Sequence, residues 1–156
     1  MKSFPRKLVA RLVIALEIAI AISSAGATAA HARTDGPAVP PQVSTVATGG
    51  EWNTAKSGGA LRVVIVQEGF EHVHSKLWLE WIAIGERDER RLAARVLVKE
   101  LSNGFSSVRL DDRREAFSGS QIRLRTANPY STEDNQDVTI EAGKPGQYKI
   151  VLQPAR

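Results

Sequence analysis

The chain has no cysteine, one methionine and three histidines in 156 residues. The missing thiols exclude a disulfide scaffold, a cysteine nucleophile, a redox pair and a cysteine-rich zinc site. They also exclude a lipid-anchored form, which needs a cysteine for attachment. The chain must hold together by its core alone, and the roughly 105 residues of its folded part can do that. No apolar run is long enough to span a bilayer, which takes about 20 residues. Leu12–Ile22 has only 11 and is interrupted by Glu17. The length excludes multidomain machinery, and 42% hydrophobic with 24% charged residues is an ordinary globular mixture.

The short apolar run still has a meaning. Lys2, Arg6, Lys7 and Arg11 precede it, and the small-residue stretch from Ser23 to Ala32 follows it. A basic start, a short apolar middle and an A-x-A ending predict a signal peptide over residues 1–32. Cleavage after Ala29 or after Ala32 fits, and the second is preferred. Arg6 is followed by Lys7, so there is no twin-arginine pair. The expected location is periplasmic or secreted, with no membrane span once the leader is removed.

That reading disposes of the basic charge. Removing residues 1–32 takes away four basic residues and Glu17, leaving 17 basic against 16 acidic over 124 residues, a net +1. Nucleic-acid binding needs a basic stripe on the folded domain. The near-neutral remainder predicts no nucleic-acid partner. No N-x-S/T acceptor occurs in the mature chain, in keeping with a bacterial envelope protein.

Residues 33–50 are rich in Pro, Gly, Thr and Ala without an apolar period, and predict a flexible arm. Residues 51–156 break into short β-rich runs: 60–69, 71–85, 105–112, 120–127, 137–142 and 147–153. Across 71–85, Val73, Leu77, Leu79, Trp81 and Ala83 share one face, while His72, His74, Lys76, Trp78 and Glu80 share the other. Gly143-Lys144-Pro145-Gly146 predicts the turn of a C-terminal hairpin. Residues 86–104 fit a helix through Ala93, Val96, Leu97 and Leu101, or a strand with Leu92, Ala94, Val96 and Val98 inward. The Val96-Leu97-Val98 run tips the reading to strand. The expected fold is all-β, a single antiparallel β-sandwich of about seven strands.

Chemistry-bearing constellations are sparse. His72 and His74, two apart on a strand, would place both imidazoles on one face about 6.6 Å apart along the backbone. Such a pair can serve zinc or copper, with Glu71 or a carboxylate from a neighbouring strand as further ligand. Glu80 lies about 20 Å along the strand and is too far to join. Any Ser/His/Asp triad would have to use one of these two histidines, and no serine sits in a nucleophile elbow. Asp111, Asp112 and Glu115 lie beside Arg113 and Arg114, as in a salt-bridged, solvated edge rather than an acid/base pair. Arg123 and Arg125 form a short basic row that edge protection explains. Trp78, among polar neighbours, is the best contact anchor, with Lys76 beside it; Trp81, in phase with Leu77 and Leu79, belongs to the core.

No motif here is specific enough to name a family. The expectation is a non-catalytic binding module with no cofactor, recognising a protein or an envelope component through Lys76 and Trp78. The alternative is a zinc- or copper-binding protein built on His72, His74 and Glu71.

Overall fold

A computed structural model describes residues 38–128 and 130–154. The signal-peptide reading lies outside the described residues, as does the first part of the arm. The described residues belong to one compact unit that begins at Ala38.

Two antiparallel sheets form an all-β sandwich. The first is a four-stranded meander of β1 (Val43–Asn53), β2 (Gly58–Glu68), β3 (His74–Ile84) and β4 (Arg90–Leu97), paired in that order. The second contains β5 (Ser107–Leu110), β7 (Gln121–Ala127), β8 (Gln136–Ala142) and β9 (Tyr148–Pro154), paired in that order; the two-residue β6 (Phe117–Ser118) adds to β7. Single turns of 3-10 helix occupy Lys99–Leu101 and Thr132–Asp134.

The period-2 pattern decides which faces meet. Leu61, Val63 and Ile65 of β2 and Leu77, Leu79 and Trp81 of β3 are fully buried. They face Val108, Ile122, Leu124, Val138 and Ile140 from the other sheet. Each such aliphatic side chain contributes about 1.5–3 kcal/mol of burial free energy. The two buried tryptophans satisfy their polar ends: Trp81 Nε1 donates to the Gly143 carbonyl at 3.1 Å and Trp52 Nε1 to that of Ile82 at 3.3 Å. Gly143 opens the turn between β8 and β9, where the backbone of Gly143 and Gln147 closes at 2.8 Å, as the tight connection predicted.

Two serines tie β3 into the fold, Ser75 to the second sheet and Ser102 to the connector after β4. Buried Ser75 on β3 accepts the Val108 N–H on β5 at 2.9 Å, and its own N–H donates to the Ser106 carbonyl at 3.0 Å. Ser102 accepts the Leu77 N–H at 3.0 Å and donates to the Val98 carbonyl at 2.7 Å.

Three expectations need correction. Val43–Gly50, read as arm, is most of β1. Its small residues suit an edge strand whose backbone pairs with β2, and Gly49 packs flat on Phe117, where a Cβ would sit 2.7 Å from the ring. Residues 90–97 form a strand and not a helix, but Leu92 points away from the core. The register slips between Trp81 and Ile82, so Ala93 is an extra residue and Leu92 flips to the outer face, 47% exposed. Val73 and His72 precede β3, which starts at His74.

Candidate functional site

The outer face of the first sheet is built in rows. Val46, Val64, Trp78 and Leu97, one from each strand, stand in direct register. The next row is Thr48, Arg62, Glu80 and Arg95, and beyond it lie Ala60, Ile82 and Leu92. On the other side Val66 pairs with Lys76, then Glu68 with His74. Cross-strand neighbours of this kind are close enough to act as units. Two apolar rows therefore bracket an ionic one. Along the first row Val46 is 54% exposed, and Val64, Trp78 and Leu97 are half-buried.

Glu80 shares the outer face with Trp78, as the strand alternation predicts, yet its side chain is 1% accessible. Arg62 and Arg95 each donate an Nε–H to one of its carboxylate oxygens. A buried carboxylate is tolerable only when paired and fully hydrogen-bonded, and the two guanidiniums provide that from the flanking strands. They stay 35% and 53% accessible. One carboxylate shared by two cations leaves the row positive. Val64, Val66, Trp78, Glu80 and Arg95 line a shallow groove of about 150 Å³ beside it.

Lys76 donates from Nζ to Glu68 at 2.9 Å, and His74 Nε2 lies 3.6 Å from the same carboxylate. The Lys76 hydrogen bond holds the Glu68 carboxyl below its ordinary value; partial burial opposes this, and the Lys76 and His74 charges add to it. Lys76 and Trp78 thus share the outer face as expected, with Lys76 tied to Glu68.

The predicted metal residues lie apart in role. His74 begins β3 next to Glu68, whereas His72 sits in the β2–β3 loop with its ring against Tyr130, centroids 4.9 Å apart. Glu71 is exposed in the same loop. Among the described residues no group of three or more His, Asp or Glu side chains is placed to hold one ion.

Beside the second sheet, Asp111, just past β5, and Asp137 of the interior strand β8 are gripped by Arg113 and Arg114. Arg114 Nε reaches Asp111 at 2.8 Å and Arg113 Nη2 reaches Asp137 at 2.7 Å. Burial pushes the Asp111 carboxyl up, but the Arg113 backbone N–H and the Arg114 guanidinium outweigh it and leave it below its ordinary value. The ion pairing of Asp111 with Arg113 and Arg114 expected from the sequence is present, but the cluster is not solvated as expected: Asp111 is buried, and its second carboxylate comes from Asp137 of β8. Open clefts of about 590 and 610 Å³ flank the Gly143 turn, and neither His72 nor His74 lines them.

Two features of the face escaped sequence reasoning: the Arg62–Glu80–Arg95 triad and the Val46–Val64–Trp78–Leu97 row. Both depend on strand register; an outer-face charge alternating with Trp78 was their only local signal. Compared with known proteins, the chain matches no family model, no curated protein and no solved structure.

Proposed function

We propose that this protein is a non-catalytic binding module of the periplasm or cell exterior, and that it works through the outer face of its four-stranded sheet. One observation carries the reading: a row of four apolar side chains crosses every strand of an open sheet, in register, with Trp78 at its centre. A contiguous apolar row left partly accessible on a sheet face is the kind of surface that serves contact, and a tryptophan between aliphatic neighbours is the usual anchor of such a surface. Arg62 and Arg95, pinned by Glu80, add a fixed positive rim that selects among partners by charge.

A photo-cross-linking residue in place of Val46, with a control in place of Val151 on the second sheet, tests this in the exporting cell. Val46 and Val151 are 54% and 41% exposed, so the two probes are comparably accessible. A discrete adduct from position 46 and none from 151 supports the reading. Equal adducts from both, or none from 46, refute it.

A further inference from the structure

The groove beside Trp78 has a chemistry that specifies its occupant. Its volume of about 150 Å³ is that of a cavity able to take a benzene ring. Val64, Val66 and the Trp78 indole supply apolar walls, and the Arg95 guanidinium supplies a planar cation on which an aromatic ring stacks. Next to it, Arg62 and Arg95 share a single carboxylate. The row lacks a negative charge. The complementary ligand is an aromatic side chain with a carboxylate beside it.

The chain presents that ligand itself. In the β2–β3 loop Phe70 is 97% exposed, and Glu71 next to it is exposed too. The loop is shaped to hold them out. Gly69 has φ +94° and approaches the His72 carbonyl so closely that a Cβ would lie 2.2 Å from the oxygen. His72 is braced against Tyr130 at 4.9 Å. A phenylalanine on a braced tip, almost wholly in water, calls for a partner as much as the groove does.

Phe70 cannot reach its own groove. Both lie on the β2–β3 hairpin, with Trp78 four residues into β3, about 13 Å from its start at 3.3 Å per residue. The ladder from Glu68–His74 to Val64–Trp78 keeps them apart. We propose that the Trp78 groove receives the Phe70–Glu71 tip of a second copy of this chain. Two hairpins laid antiparallel, outer face to outer face, seat each tip in the other's groove at once. That makes the contact isologous and closed. Phe70 enters against Trp78 and Arg95, and the Glu71 carboxylate meets the Arg62/Arg95 pair. The inference rests on the contact-face reading above and names the partner of that face.

Sedimentation of the purified protein at rising concentration tests it. The expected result is a reversible monomer–dimer equilibrium with Kd between about 10 µM and 1 mM, as suits a contact of less than standard size. Phe70→Ser and Trp78→Ser each raise Kd at least about tenfold, the scale of a buried aromatic anchor. Glu71→Lys weakens the dimer in the same direction and leaves the fold untouched, which covers the case of a Trp78 variant that unfolds. Mixing the Phe70→Ser and Trp78→Ser proteins restores one tip-in-groove contact, so the mixture dimerises more tightly than either alone. A protein that stays monomeric up to about 1 mM, or a dimer indifferent to Phe70 and Glu71, overturns the inference. If the protein is monomeric while position 46 cross-links to a different protein, the contact face stands and the second copy falls. If it dimerises through neither Trp78 nor Phe70 and position 46 gives no adduct, both readings fall.

Discussion

Replacing Glu80 by Gln removes the charge from the centre of the triad while keeping its shape. The amide retains one oxygen, which still accepts from Arg62 or Arg95, and turns a donor toward the other guanidinium. One charge-assisted hydrogen bond is lost, worth about 1.5–3 kcal/mol, and two cations face each other without a carboxylate. Removing a partner from a fully buried pair costs about 3–5 kcal/mol. Here the arginines are 35% and 53% accessible, so water takes up part of the loss. The net destabilisation is about 2 kcal/mol, and at about 4 °C per kcal/mol for a domain of this size the melting temperature falls by about 8 °C. Thermal unfolding followed by circular dichroism reads this directly. A joint Arg62→Met/Glu80→Leu/Arg95→Met replacement should recover part of the loss, because an apolar side chain suits the buried Glu80 position once no cation faces it, while the arginine positions stay partly in solvent. A Glu80→Gln protein that melts with the wild type would show that the triad is a loose surface pairing and refute the reasoning.

Other perturbations separate the structural groups from the contact face. Ser75→Ala leaves the buried Val108 N–H without its acceptor, so denaturant unfolding should show a loss of about 1–3 kcal/mol. Asp111 has a folded-state pKa below its unfolded value, so its stabilisation is present above the unfolded pKa and drains away as the pH falls through the folded one. Unfolding measured from neutral to acid pH should therefore show an acid-side decline that is shallower in Asp111→Asn, a variant already weaker at neutral pH. A calorimetric titration with Zn²⁺ or Cu²⁺ should show no saturable site that disappears in a His72→Ala/His74→Ala protein; such a site would revive the metal-binding alternative.

Strands with clean alternation were legible from residue order alone. In β3 the Leu77, Leu79, Trp81 set is core and the Lys76, Trp78 set is outer, and the Gly143–Gly146 turn lies where its composition placed it. What stayed hidden has local physical causes. Val43–Gly50 reads as loop because an edge strand with half its side chains in solvent needs few large apolar residues; backbone pairing to β2 carries it. Leu92 lies on the face opposite to the one its alternation predicts because one bulged residue inverts every face assignment before it. His72 left the strand because the Gly69 turn and the Tyr130 contact start β3 two residues later. Glu80 lies 18 residues from Arg62 and 15 from Arg95, so their convergence exists only once the register is known. The same holds for the apolar row through Trp78.

The most direct test of the contact face is the cross-link from position 46 in a chain that also carries Trp78→Ser, with the stability of the variant measured alongside. Trp78 is half-buried on the outer face and outside the sandwich core, so the folded protein should persist while the adduct is lost. An adduct of undiminished yield in the Trp78→Ser chain would contradict the claim that this face, anchored by Trp78, is what the protein binds with.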